Sequence, residues 1–424
     1  MAIIRKEKFI FVEANENHNK LWYIEEHDNN SIITKWGRVG NTMAESTKSF
    51  DNSASTSKEY DKLVKSKIKK GYTKLNTIED NSVISNFNIE SIALEDIDYD
   101  KSSTVISDMI KLFCKENIHN IISNTNINFN SDKNIFTTPA GVVTIESINE
   151  AKNILNKISE FINNKDFGVD FIKAVEHYCS LIPQKVSRKF VPAEIFNNQD
   201  KINIQQDVLT SLTDSINIIN EFNKDPKNRE KVFNTSLKEV TDKAIIDKII
   251  NMFNSTKHNM HACRNLKIKR VFEINIKCMK DAFDKTIEDW KSKGKDLNKK
   301  LLWHGTKKHN IISIMKKGLI IPPATASYCT GRMFSNGLYF SDQSTKSLNY
   351  SYGYWDSNRD SNCYMFLADV LMGKEYVPYR SCSTFPKGYD SIFAKAGRSG
   401  VINNEMVVPN TNQANLKYLI EFSE

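Results

Sequence analysis

The spacing of apolar residues changes twice along this 424-residue chain, and no single sheet or bundle accommodates all three patterns. Up to residue 78, the short runs Lys8–Val12, Leu21–Glu25 and Ile32–Arg38 are rich in aromatic and β-branched side chains and read as strands of a meander. HDNNS at 27–31 supplies a turn between two of them. From Ser57 to Lys70 the period becomes helical, with Tyr60, Leu63, Val64 and Ile68 on one face. This predicts a small antiparallel sheet carrying one helix.

From 101 to 224 the period stays helical. Thr144 can cap a helix whose first turn holds Glu146. Ile148, Ala151, Ile154, Leu155, Ile158 and Ile162 then form one apolar stripe, and Val208, Leu209, Leu212, Ile216 and Ile219 another. Beyond 225 the pattern breaks into short β-rich runs: Lys267–Ile276, Leu301–His304, Gly337–Phe340, Tyr364–Val370, Glu405–Val408 and Leu416–Phe422. Between them Asn310–Lys317 reads as a helix closed by Gly318. The prediction is an α+β multidomain chain: a small antiparallel β-sheet domain, an all-α domain, and a mixed α/β domain.

Charge sharpens the boundaries. Residues 1–78 carry 14 basic and 10 acidic side chains, whereas 79–100 carry seven acids and no base. The latter stretch lacks sustained periodicity and reads as an acidic linker. Residues 101–224 sum to −1 and 225–424 to +12, so both basic ends can meet a polyanion, although most charge runs are simply solvated faces. The predicted domains are therefore 1–78, 101–224 and 225–424, joined by 79–100.

The composition also excludes whole classes. Charged residues within MAIIRKEKFIFVE do not make a signal peptide, and no run of 18 apolar residues is present to cross a membrane. A soluble intracellular protein with no membrane partner is expected. The seven cysteines (114, 179, 263, 278, 329, 363 and 382) include no CxxC pair, which argues against a disulfide framework and a zinc finger. No GxGxxG follows a strand, so a Rossmann mode of dinucleotide binding is not expected.

The chemistry concentrates after residue 300. His304 ends an apolar run and alone would be a structural histidine. Gly305 after it has no side chain, so a ligand can reach backbone N–H and C=O, the pair a carboxamide needs. Tyr339 lies in GLYF; Ser347 and Tyr350, at i and i+3, share a helix face. Two tyrosines can sandwich a flat ring, although either alone is more often a core aromatic. Glu405, in NNEMVV, is either a surface acid or a fixed carboxylate that hydrogen-bonds a ribose hydroxyl and stabilises a sugar cation. No metal is required, because the leaving group departs neutral.

WHG at 303–305, GLYF at 337–340, KSLNY at 346–350, NE at 404–405 and NQANLKYLIEF at 412–422 together resemble the catalytic domain of the poly(ADP-ribose) polymerases. KWGRVG at 35–40 resembles a WGR domain, and the helical segment, with HYCSLIP at 177–183, is similar to that family's regulatory domain. The resemblance implies a His304–Tyr339–Glu405 triad and NAD⁺ as substrate. It places His304, Thr306 and Asn310 at the adenosine ribose, Gly305 and Ser347 on the carboxamide, Tyr339 and Tyr350 against the ring, and Lys346 near the nicotinamide ribose. Ile320 stands where many members have an arginine, Arg332 where they have a tyrosine, and Thr210 where they have an aspartate, while Asp214 keeps the next acidic position.

The implied function is DNA-break-activated transfer of ADP-ribose to protein acceptors, itself included, with polymer elongation. Trp36 and Arg38 would meet DNA, the former as a flat platform and the latter as a phosphate fork. The implied location is the nucleus, or the cytoplasm or nucleoid outside eukaryotes. A mono-ADP-ribosyltransferase and a catalytically silent DNA-binding scaffold are the alternatives.

Overall fold

The computed structural model describes residues 2–13, 18–38, 42–75, 88–131, 134–138, 141–185, 190–224, 229–321, 333–354 and 359–424. They form two compact units, one of Met1–Asn88 with Ile118–Asn223 and one of Ile89–Asn117 with Lys224–Glu424.

In the first unit, strands β1 (Ile3–Glu13), β2 (His18–His27), β3 (Ser31–Arg38), β4 (Ala44–Ser49) and β5 (Thr73–Leu75) form one sheet in the order β4-β3-β2-β1-β5. All its pairings are antiparallel. The turn before β3 brings Asn30 to φ 56°, a conformation asparagine tolerates better than most residues. Helix α1 (Ser53–Lys69) begins where Asn52 accepts a hydrogen bond from the Ser55 N–H at 2.9 Å. It buries Tyr60 against Phe9, Trp22, Ile24 and Ile32, with Leu63 and Val64 beside them. Ile68 departs from the expected face and is 53% exposed. Lys67 covers that ground instead, its ammonium 5.0 Å from the Trp22 ring centre and 4.7 Å from that of Tyr72.

Helix α2 (Ile89–Asp96) belongs to the second unit, as do residues 104–117 of α3 (Thr104–Asn124). After α3, a small antiparallel sheet of β6 (Asn128–Asn130), β7 (Ile135–Thr138) and β8 (Gly141–Val142) precedes the remaining helices of the first unit. These are α4 (Ile145–Asn163), α5 (Val169–Leu181), the single turn α6 (Pro192–Ile195) and α7 (Gln199–Lys224). Thr144 and Ser147 close a reciprocal capping box on α4. Its predicted stripe from Ile148 to Ile158 is buried, as are Val208, Leu209 and Leu212 on α7.

The second unit is built on a sheet of order β11-β13-β17-β10-β9, with strands β9 (Thr235–Glu239), β10 (Lys267–Ile276), β11 (Lys299–Gly305), β13 (Tyr364–Leu371) and β17 (Ala414–Ser423). A second sheet, β12-β16-β15-β14, comprises β12 (Leu338–Phe340), β14 (Glu375–Tyr376), β15 (Ser391–Ala394) and β16 (Glu405–Val408). Helices α8 (Lys243–Ser255), α9 (Lys277–Ser292), α10 (Lys308–Lys317) and α11 (Ser344–Tyr352) accompany them. Trp303 at the end of β11 and Ser341 just after β12 exchange two backbone hydrogen bonds, of 2.9 and 3.1 Å. That bridge joins the two sheets and locates the site.

Half of the expected acidic linker has a different fate. Residues 79–87 lie outside the described residues, but 89–96 form α2, with Ile89, Ile92, Ala93 and Ile97 all buried. Asp96 is buried too, accepting hydrogen bonds from Arg229 and from the Val232 N–H at 2.7 Å. Glu90, Glu95 and Asp96 within this helix, with Asp98 and Asp100 after it, hid its apolar face from a charge-based reading. No described helix is long and apolar enough to cross a membrane. Six cysteines are free, and four of them, Cys114, Cys179, Cys263 and Cys363, are buried; Cys329 lies outside the described residues.

Candidate active site

Strand alternation separates the first two site residues. Trp303 is fully buried in the core with Phe253 and Leu348, so His304 turns to the other face, where its ring lies 5.4 Å from that of Phe340. His304 Nδ1 is 3.0 Å from the Tyr339 carbonyl. A carbonyl can only accept, so Nδ1 carries the proton and Nε2 keeps a lone pair for a hydroxyl donor. Burial pushes the His304 pKa below its usual value; Lys346 adds to that effect, and the Tyr339 bond opposes it. The ring is therefore a neutral acceptor.

Gly305 is a packing requirement as much as an opening for ligand. A Cβ here would lie 1.8 Å from the Ser347 carbonyl oxygen, so α11 rests directly on the β11 backbone. Ser347 Oγ donates to the Trp303 carbonyl at 3.1 Å, and Ser351 Oγ accepts from the Thr306 N–H at 3.1 Å. Asn310 Nδ2 donates to Thr306 Oγ1 at 3.2 Å, fixing the start of α10. Ser347 and Ser351 thus make the row of α11 that faces the strand. Lys346 and Tyr350, also four apart, form an adjacent row, with the Lys346 ammonium 5.4 Å from the Tyr350 ring centre. Tyr350 is 39% exposed, leaving ring surface available to a ligand.

Tyr339 is held at its far end, where its hydroxyl donates to the Ser335 carbonyl at 2.7 Å and accepts from the Phe334 N–H at 3.1 Å. Its strand pairs with β16 in a register that sets Tyr339 opposite Val407 and Phe340 opposite Met406. The same strand begins with Glu405. Lys346 Nζ meets Glu405 Oε1 at 2.9 Å, with about an eighth of each side chain exposed (12% and 13%). His304, Gly305, Thr306, Asn310, Tyr339, Lys346, Ser347, Tyr350 and Glu405 therefore belong to one junction inside the second unit. Among the described residues no group of His, Cys, Asp and Glu is arranged to hold a metal ion.

Sequence reasoning missed the groups that hold these residues. Asn404 Nδ2 donates to both carboxylate oxygens of Asp342, at 3.2 and 3.0 Å, and its carbonyl accepts from Ser341 Oγ at 2.7 Å. Its own Oδ1 accepts from the Ala396 N–H at 2.8 Å. The Asp342–Asn404 link spans 62 positions, and no local pattern announces it. Ser351 was accessible, since it repeats Ser347 one helical turn later. Elsewhere, Trp36 is 43% exposed on β3 opposite Trp22, and Arg38 lies opposite Lys20. Ile320 is 48% exposed just after α10, and Arg332 lies outside the described residues.

Comparison with known proteins matches three family models in chain order: the WGR domain over residues 6–79, the poly(ADP-ribose) polymerase regulatory domain over 102–242, and the poly(ADP-ribose) polymerase catalytic domain over 244–399. The last match ends before Glu405, which is tied to the site by Lys346. A putative poly [ADP-ribose] polymerase-like protein, 100L of Invertebrate iridescent virus 6, is 30% identical over 155 residues, covering 34% of this chain and 80% of the viral one. Human poly [ADP-ribose] polymerase 2 is 22% identical over 357 residues, 74% of this chain and 58% of its own. Poly [ADP-ribose] polymerase 1 of Gallus gallus is 26% identical over 322 residues, 67% of this chain and 30% of its own. The chain thus spans less than two thirds of each of these two longer relatives. With the three domains in order and the motif residues gathered at one junction, the chain belongs to the poly(ADP-ribose) polymerase family.

Proposed function

We propose that this protein transfers ADP-ribose from NAD⁺ to protein acceptors, itself included, releases nicotinamide, and elongates the product into a polymer when broken DNA engages its N-terminal domain. The observation that carries the reading is the Lys346–Glu405 pair at 2.9 Å, set beside His304 and the α11 face bearing Tyr350.

The residues fit the dinucleotide. Neutral His304 offers Nε2 to a ribose hydroxyl, with Thr306 and Asn310 fixed nearby. Gly305 lets the nicotinamide carboxamide approach the backbone. Ser347 can donate to the carboxamide oxygen once its hydroxyl rotates away from the Trp303 carbonyl. Tyr339 and Tyr350 flank the ring. Departure of nicotinamide breaks the C1′–N bond; the electron pair goes to the ring nitrogen and positive charge is left on the sugar. Glu405 stabilises that charge and, through the 2′-hydroxyl, holds the ribose in place. An acceptor oxygen then attacks C1′ and loses its proton. Lys346 keeps the carboxylate aimed.

The exposed Trp36 and the basic side chains near Arg38 support contact with DNA. Residence in the nucleus, or in the nucleoid of a cell without one, belongs to the same reading. The test is incubation with labelled NAD⁺, with and without nicked DNA, followed by sizing of labelled protein. DNA-stimulated polymer is expected. Single units alone would make the protein a mono-ADP-ribosyltransferase, and no labelled protein under either condition would overturn the enzymatic reading.

A further inference from the structure

A second histidine lies behind the site. His261 is 6% exposed, at the start of a 3-10 turn (Ala262–Asn265) that follows α8. Its Nδ1 is 2.8 Å from Thr345 Oγ1, and its Nε2 is 3.3 Å from Asn403 Nδ2. Thr345 immediately precedes Lys346, and Asn403 stands two residues before Glu405. The ring therefore touches both chain segments that deliver the Lys346–Glu405 pair.

Hydrogen-bond accounting fixes its state. Thr345 Oγ1 accepts from the His258 N–H at 2.8 Å, and among the described residues the His261 ring nitrogen is the one acceptor in reach of its own proton, so Nδ1 is an acceptor. The ring proton is on Nε2 and faces the Asn403 amide. Asn403 Oδ1 is buried with no donor among the described residues. Exchanging the amide's isosteric O and N places that oxygen opposite Nε2–H, from which it accepts. The rest of the surroundings hold Thr345 in place. Cys263 Sγ contacts the Thr345 carbonyl at 3.3 Å and Asn349 Oδ1 at 3.1 Å, and Ser344 Oγ donates to the Phe253 carbonyl at 2.7 Å.

From this geometry we infer that His261 is a positioning residue: as a neutral Nε2–H imidazole it cross-links the first turn of α11 to the segment before β16, and so sets the distance and angle of the Lys346–Glu405 pair. It touches none of the residues assigned to the carboxamide or the adenosine ribose. Its loss therefore acts on the step that Glu405 assists and leaves substrate binding alone. Protonation would turn Nδ1 into a donor against the Thr345 hydroxyl, and burial, His258 and Lys346 all oppose it.

The inference rests on the proposed function, and full-length protein with nicked DNA tests both. His261→Ala is expected to lower kcat about 10- to 100-fold while KM for NAD⁺ stays within about threefold, the cost of misplacing a group that acts in the transition state. The thermal shift given by benzamide is expected to be unchanged. His261→Gln keeps an amide donor near the Nε2 position and should recover part of the rate. Asn403→Ala should reproduce the kcat loss, and the double variant should be no worse than either single one, since one cross-link is cut twice. Wild-type protein that transfers nothing overturns the functional reading, and this inference with it. Active wild type beside a fully active His261→Ala overturns the inference alone, as does a loss confined to KM or strictly additive effects in the double variant. Should His261→Ala fail to fold, a normal kcat in Asn403→Ala overturns it.

Discussion

The N-terminal sheet and the catalytic junction are both small β structures, yet they are assembled in opposite ways. In the first, each strand except β5 pairs with its neighbour in sequence, and the core of Phe9, Trp22, Ile24, Ile32 and Tyr60 comes from a stretch of some fifty residues. The residue expected to meet DNA, Trp36, stays on the surface. In the second, residues from near 260, 304, 340, 350 and 404 converge, and their polar atoms are mostly committed to one another. A site of the first kind can change one contact at a time. One of the second kind should lose function in large steps.

The largest step is expected at Glu405. Glu405→Gln keeps the shape and removes the charge, so polymer formation should fall by about 10²–10⁴ while slow NAD⁺ hydrolysis survives. Gel sizing checks this, and unchanged chain length would remove Glu405 from the mechanism. Gly305→Ala comes next. The added carbon would sit 1.8 Å from the Ser347 carbonyl oxygen, so α11 must shift, at a cost of about 1–3 kcal/mol in stability together with the activity. Chemical denaturation measures the first and NAD⁺ turnover the second; a fully stable, active variant would show the close contact to be unimportant. Tyr350→Ala should weaken benzamide-like ligands by about 1–3 kcal/mol, the worth of an aromatic platform, read by thermal-shift titration.

A smaller effect is expected from pH. His304 and His261 both have pKa values lowered in the folded protein, burial being the first cause in each. A histidine easier to protonate when unfolded contributes stability above its ordinary value of 6.5, and that stability is lost as pH falls through the lower folded value. The melting temperature should therefore drop as pH falls from about 6.5 towards the lower folded value, and by less in His261→Gln. Arg38→Ala, on the open side of the comparison, should change least. Basal activity stays, DNA stimulation weakens, and the logarithmic slope of activation against salt decreases by about one if Arg38 neutralises a phosphate. An equal loss with and without DNA would erase the contrast between the two regions.

The same contrast explains what could be read from sequence. Periodicity found β10 and β16 with their observed bounds, and the first three strands and α1 with the start of β1 missed by five residues and that of α1 by four. It missed β4, whose six residues are all exposed and carry no apolar alternation, and β5, three residues long. At the site, motifs named the side chains that can face a ligand, because those reside in short recognisable strings. The supporting links were invisible: Asn404 to Asp342 spans 62 positions and Asn403 to His261 spans 142, and neither leaves a local spacing. Gly305 was noticed for the backbone it leaves open to a ligand, whereas the close approach of α11, where an added Cβ would meet the Ser347 carbonyl, leaves no local signature.

Helix α2 has a bearing on how this protein should be divided. Asp98 exchanges backbone hydrogen bonds with Thr235 and Leu237, of 2.9 and 2.8 Å, along the outer strand β9, while Asp96 engages the Val232 amide. A catalytic fragment begun at residue 225 would uncover a raw sheet edge and strand a buried amide, and both invite aggregation. Such a fragment would look inactive for reasons unrelated to chemistry. Supplying residues 88–100 as a separate peptide should restore its solubility, since that piece would cover the sheet edge and pair the Val232 amide again.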